Sequence, residues 1–116
     1  MRRFKLLVFS DPVKGGEKEF NDWYTGRHLA DIVALPGFTA AQRFKLQGIP
    51  LGACANKYLA IYEMETDDPD GVIANMFSLR GTPAMPIPPA FDMDSVNVLV
   101  FEVLSEQVQS KQNQVP

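Results

Sequence analysis

Four stretches of the chain carry the pattern of β-strands and two that of amphipathic helices. Residues 4–9 (Phe-Lys-Leu-Leu-Val-Phe) are a near-continuous run of β-favouring side chains ending in Ser10-Asp11-Pro12, which predicts a strand covered on both faces and closed by a turn. Residues 38–46 set Phe38, Ala40, Gln42, Phe44 and Leu46 against Thr39, Ala41, Arg43 and Lys45, the period of two of a strand with one apolar face. Residues 58–65 predict a third strand with Tyr58, Ala60, Tyr62 and Met64 on one side, and residues 96–104 a fourth, the strongest β signal in the chain. Between the first two strands, residues 17–35 read as a helix with an acidic first turn, stopped by Pro36-Gly37. At about 100° per residue, Phe20, Tyr24, Arg27, Asp31 and Leu35 share a stripe expected to face the sheet, with Trp23 and His28 at its borders. Gly26 inside this helix costs about 1 kcal/mol relative to alanine, which fits a place where another backbone or a ligand approaches. A second helix is predicted from the cap at Thr66-Asp67-Asp68-Pro69-Asp70 through Val72, Ile73, Met76 and Phe77, ending near Arg80-Gly81.

Two segments have no period. Residues 47–56, with two glycines and a proline, predict an irregular hairpin loop longer than usual. Residues 82–91 hold four prolines between Pro83 and Pro89 and fit neither a helix nor a central strand, so a stiff surface arm is expected, covering a pocket mouth or a partner subunit. The order strand, helix, strand, strand, helix, strand is an α+β, ferredoxin-like βαββαβ fold: a four-stranded antiparallel sheet with two helices on one face. Those helices cover one side of strands that are apolar on both. A homodimer packed sheet against sheet is therefore expected.

Length and charge narrow the class. The 116 residues make a single domain, placed at residues 1–105, and the Gln/Ser/Lys/Asn-rich residues 106–116 are expected to be a disordered tail. With 14 acidic and 11 scattered basic residues, the net charge of −3 supplies no footprint for nucleic acid. No window approaches the roughly 20 apolar residues of a membrane span. The run at residues 4–9 is too short for a signal-peptide core. A lone cysteine, Cys54, makes neither an internal disulfide nor a metal-ligand spacing, in keeping with a reducing cytoplasm.

The candidate chemistry gathers on the first helix. His28, the only histidine, is the side chain whose unperturbed pKa lies nearest neutrality, with Tyr24 and Asp31 at helical spacing to orient it. Arg27 and Asp31 form either a surface pair or part of a polar cavity lining, the second being the working expectation. Arg27 or Arg43 would hold a substrate carboxylate or phenolate. Trp23, Tyr58, Tyr62, Phe77 and Phe91 are core candidates that would also suit a flat aromatic or polyketide-like ligand. One histidine and no cysteine pair give no zinc site, whereas a haem would need His28 alone.

The residues Phe20-Asn21-Asp22-Trp23-Tyr24, His28-Leu29 with Asp31, Leu35-Pro36-Gly37-Phe38, Ala41 and Arg43-Phe44 resemble the signature of the EthD-like group of the dimeric α+β barrel superfamily. The resemblance implies a dimer joined through its sheets, with a pocket between sheet and helices in each subunit. The superfamily's range covers cyclases, cofactor-free monooxygenases, decarboxylases, dehydratases, isomerases and haem-handling proteins. Where family members often carry Glu-Glu-His or Glu-His-His, this chain has Gly26-Arg27-His28. The expectation is a cofactor-independent enzyme that uses acid/base chemistry on a small aromatic or polyketide-derived compound, a lyase (decarboxylase or dehydratase) or a cyclase. His28, Asp31 and Tyr24 would be catalytic, and Trp23, Arg27, Arg43, Tyr58, Tyr62, Phe77 and Phe91 would bind substrate. The alternatives are a haem- or small-ligand-binding module without turnover and an accessory protein of an oxygenase system.

Overall fold

Period-two alternation sorts four strands into one sheet. In the computed structural model, which describes residues 1–48 and 51–111, β1 (Arg2–Pro12), β2 (Phe38–Lys45), β3 (Tyr58–Thr66) and β4 (Phe91–Glu102) pair antiparallel in the order β2-β3-β1-β4. Helices α1 (Glu17–Trp23) and α2 (Leu29–Val33), joined by a π-helical turn over Tyr24–His28, make one continuous crossover, and α3 (Pro69–Leu79) makes the other. This is the expected ferredoxin-like α+β arrangement. Registers Leu6↔Tyr62 and Val8↔Ala60 align the inner faces of β1 and β3, and Phe4, Leu6, Val8, Tyr58, Ala60, Tyr62 and Met64 are all buried there. Phe20, Tyr24 and Ile32 pack onto them from the crossover helix.

β1 runs past the expected turn. Its register against β4 shifts between Phe9 and Asp11, and Asp11 and Pro12 then pair with Asp92 and Phe91. The Asp11 carboxylate accepts from Asn56 Nδ2 at 2.9 Å and from the Lys57 amide at 2.8 Å, so the bulge anchors the loop leading into β3. At α3 the sequence signals hold: Asp68 caps by accepting from the Gly71 amide at 3.0 Å, with Pro69 opening the helix. Gly37, which ends the first crossover, is required twice over. Its φ is 92°, and a Cβ there would lie 2.6 Å from Val72 Cγ2 of α3.

The crossover helix departs from the regular stripe. Its buried residues are Phe20, Tyr24, His28 and Ile32, while Arg27 is exposed and Asp31 half-buried. The reason is the π turn, in which the Leu29 amide bonds back to the Tyr24 carbonyl five residues earlier. The wider turn absorbs one residue and swings His28 and Ile32 onto the face that a straight α-helix would give to Arg27 and Asp31. Those two form the surface pair instead, with Nε to Oδ2 at 3.1 Å, worth a few tenths of a kcal/mol. Gly26 lies in this turn with nothing within 4 Å of where a Cβ would stand, so close approach of another backbone does not account for it.

The Pro-rich segment is packed rather than superficial. Met85 and Ala90 are buried, the Trp23 indole N–H donates to the Pro86 carbonyl at 3.0 Å, and the Val13 amide donates to the Ala90 carbonyl at 2.8 Å. Prolines bring no N–H to satisfy, so such a segment can be laid against a core with few hydrogen bonds. On the opposite side of the sheet no helix of the described residues covers the strands. Leu7 pairs with Ile61 and Leu99, and Phe9 with Leu59, giving a continuous apolar band on which Phe44, Leu99 and Phe101 are exposed. Residues 106–111 are irregular and exposed, and the remainder of the expected tail, 112–116, falls outside the described residues, as do 49 and 50 of the loop. Among the described residues no helix is long and apolar enough to cross a membrane.

Candidate functional site

The helical face set by the π turn meets the sheet where α3 ends and the Pro-rich segment crosses. Val8, Tyr62 and Val98 from the sheet, Tyr24, His28 and Ile32 from the crossover, Met76, Phe77 and Arg80 from the end of α3, and Met85, Ile87 and Phe91 enclose a cavity of about 40 Å³. Its wall is apolar except for His28, Tyr24, Tyr62 and Arg80, and it is smaller than the pockets that hold small molecules.

His28 is 6% exposed. Its ring stacks on Trp23 with centroids 4.3 Å apart at 24°, and Tyr24 meets it edge-on at 5.0 Å and 84°. Nδ1 is buried without a hydrogen-bond partner among the described residues. Burial lowers the imidazole pKa from 6.5 to about 4, with the Asp31 charge opposing that shift. The ring is therefore neutral at pH 7. Because the unfolded chain binds this proton near pH 6.5 and the folded chain only near 4, the stability this group contributes is fully present above 6.5 and is lost as pH falls toward 4. Over that window we expect a loss of about 3 kcal/mol, read by urea denaturation at a series of pH values, and a His28→Leu variant should flatten the profile. An unchanged slope in that variant would assign the acid sensitivity to other groups.

Tyr62 donates its hydroxyl to Tyr24 Oη at 3.2 Å inside the core. Burial pushes both phenols above their ordinary range, Tyr62 well above it, while Arg43 pulls back on each. Both stay protonated and serve as donors at neutral pH.

Of the ten residues expected at the site, the structure brings Tyr24, His28, Tyr62, Phe77 and Phe91 to one cavity, with Trp23 supporting His28 from outside the wall. The other four lie elsewhere. Arg27 and Asp31 hold each other at the surface, and Asp31 makes no hydrogen bond to His28 Nδ1, so it does not set the imidazole tautomer through that atom. Arg43 lies on the far side of Tyr24, 4.5 Å over its ring, and spends its donors on Asn21 Oδ1 at 2.8 Å and Thr25 Oγ1 at 2.9 Å. It clamps β2 to the crossover helix. The Tyr58 hydroxyl donates to Glu17 at 2.5 Å and accepts from Asn21 Nδ2 at 3.1 Å, outside the cavity. Sequence pattern does not single out Arg80, Met85, Ile87 or Val98 as site residues. The signal for Met85 and Ile87 is their apolar character within a proline run; Arg80 reads only as a helix boundary. Among the described residues no cluster of three or more His, Cys, Asp or Glu side chains is placed to hold a metal ion.

No protein-family model and no curated protein matches this chain. Solved structures do. An ethyl tert-butyl ether D (EthD) family protein from Bacillus halodurans C-125 superposes with a TM-score of 0.51 at 12% identity, over 90% of this chain and 100% of the other. The haem-degrader MhuD from Mycobacterium tuberculosis, solved with two haems in its active site, gives 0.60 at 18% identity, over 90% and 99%. A protein from Shewanella loihica PV-4 proposed to be a monooxygenase gives 0.54 at 16% identity, over 91% and 99%. The likeness is one of fold: this chain has the ferredoxin-like α+β architecture that an EthD family protein and a haem-degrading protein share.

Proposed function

We propose that the protein is a small-molecule enzyme of EthD-like type with an oxygenase-related role, in which neutral His28 moves a proton on a compact, flat, weakly acidic compound. The observation that carries this reading is a buried, uncharged imidazole on the wall of an apolar cavity, beside two phenols that stay protonated. A substrate O–H or activated C–H transfers its proton to the imidazole, a weak base in the empty cavity because burial disfavours its charged form, and a stronger one once the anion formed beside it pairs with that charge. The resulting anion lies against the imidazolium and the Tyr24–Tyr62 hydroxyls, where a low dielectric strengthens every such contact. From that anion, addition of dioxygen gives a peroxide whose O–O bond breaks with loss of water to leave a carbonyl or quinone, whereas expulsion of a leaving group without oxygen gives a lyase product; the two branches share the first proton transfer. The fold held in common with a haem-degrader and a proposed monooxygenase supports the dioxygen branch. Turnover of phenolic and quinol compounds should then consume oxygen and stop under nitrogen. Product formed equally well without oxygen would give the site to a lyase.

A guest the size of benzene needs a cavity of roughly 150 Å³, so the rim must open from its 40 Å³. Phe77, 39% exposed at that rim with the Arg80 guanidinium 5.3 Å over its ring, is the side chain whose rotation would open it. Haem is a poorer fit. A neutral imidazole suits an axial ligand, but a macrocycle is far larger than the 40 Å³ cavity and would have to displace Met85 and Ile87 from its wall.

The uncovered outer band of the sheet supports a homodimer packed through it. Sedimentation is expected to give about twice the 12.9 kDa chain mass, and Ile61→Lys, at the centre of the band, should yield monomers with unchanged secondary structure. A wild-type monomer at micromolar concentration would remove the dimer.

A further inference from the structure

The five arginines divide unequally. Arg2 pairs with Glu102 and Arg3 with Glu106, Arg27 holds Asp31, and Arg43 holds Asn21 and Thr25. Arg80 has no acceptor for its guanidinium among the described residues, and that group lies 5.3 Å over the Phe77 ring at the cavity rim. Its backbone is fixed: the amide donates to Phe77 O at 3.3 Å, and a bridge joins the residue to Met85 of the cavity wall. No carboxylate of the described residues lines the cavity. The site thus has an apolar interior, a nine-tenths buried histidine with an unpartnered nitrogen, and one uncompensated cation at its mouth.

We infer that Arg80 selects the ligand of this cavity by pairing with a carboxylate at the edge of a flat apolar body, which makes the ligand class an aromatic carboxylate. A guanidinium meets a carboxylate with two parallel N–H···O bonds, and its place over the Phe77 ring holds the fork at the rim of an otherwise apolar cavity. The geometry separates the two ends of such a ligand, the anion at the exposed rim where desolvation is small and the ring inside. This inference rests on the reading of the cavity as the substrate site. A purely structural Arg80, acting as a cation at the end of α3, would affect stability without discriminating between ligands.

The single histidine supplies the readout. Benzoate and its neutral isostere benzamide are titrated into the protein while the His28 ring resonances are followed by NMR. Benzoate should bind about tenfold more tightly than benzamide, and Arg80→Gln should remove that preference by weakening benzoate alone. Arg80→Lys, which keeps the charge and loses the fork, should retain part of it. If both probes move the His28 signals with equal affinity and Arg80→Gln changes neither, Arg80 is not the selector and the cavity remains the site. If neither probe moves those signals up to its solubility limit, the cavity reading fails and the role of Arg80 falls with it.

Discussion

Replacing His28 with alanine is expected to lower turnover by about two to four orders of magnitude while the protein stays folded. The size follows from what the cavity holds. No second histidine exists in the chain, no carboxylate of the described residues lines the wall, and the Tyr24–Tyr62 phenols are pushed further from neutrality, so no neighbour can take over the proton. The fold should tolerate the change because two effects oppose each other. Alanine loses the stacking contact with Trp23, but it also removes a buried nitrogen that has no partner, a group whose desolvation costs about 1–3 kcal/mol. Glutamine preserves hydrogen bonding without a proton-accepting nitrogen and should not restore the rate. The measurement is kcat for alanine and glutamine variants together with circular dichroism. Activity retained in both would move the chemistry to the Tyr24–Tyr62 pair.

Phe20→Ala should have the largest effect on stability, about 3–5 kcal/mol, a large part of the roughly 5–15 kcal/mol that holds an ordinary domain together. Phe20 is fully buried and stands at the centre of an aromatic cluster, with ring centroids 5.5 Å from Tyr24, 5.5 Å from Tyr58, 5.7 Å from Phe91 and 6.4 Å from Trp23. These neighbours come from the crossover helix, β3 and β4, so a cavity here cannot close by moving one element. Equilibrium urea denaturation reads the loss, and Phe20→Leu should cost clearly less. A loss below about 1 kcal/mol in the alanine variant would mean that the cluster repacks. The two variants separate chemistry from architecture: one should slow turnover in a stable protein, the other should destabilise a protein whose histidine is unchanged.

The sheet is legible in the sequence where a strand keeps its period of two; in β2 a bulge between Phe38 and Ala40 breaks it, so Phe38 is buried against the helices while Phe44, expected on the same face, is exposed on the other. Tyr58, Ala60, Tyr62 and Met64 share the buried face that their spacing predicts, and the caps at Asp68 and Pro69 are local signals that need no tertiary context. The first helix is legible in extent but not in rotation. Nothing in Tyr24-Thr25-Gly26-Arg27-His28 announces a π turn, since i→i+4 and i→i+5 bonding differ little locally and tertiary packing chooses between them. That one-residue shift exchanges Arg27 and Asp31 for His28 and Ile32 on the inner face. Arg43 and Tyr58 have the residue types of a binding site but are consumed by Asn21, Thr25 and Glu17, partners more than 15 residues away in the chain. Arg80 escapes notice for the opposite reason. It reads as a helix terminus, and its significance comes from what its guanidinium lacks, which only the folded arrangement reveals.

The placement of Trp23 makes the protein its own optical reporter. The chain has one tryptophan, and its indole touches both the histidine and the Pro-rich segment: it stacks on His28 at 4.3 Å and donates to the Pro86 carbonyl at 3.0 Å. Its emission therefore follows two events without any added label. Charging the imidazole places a cation against the indole face, and withdrawal of the Pro-rich segment exposes the N–H to water. Quenching that titrates with acid would follow the histidine, and a red shift on adding an aromatic carboxylate would mean that the wall opens at the Pro-rich segment rather than at Phe77. Stopped-flow fluorescence on the unmodified chain can time these two events separately.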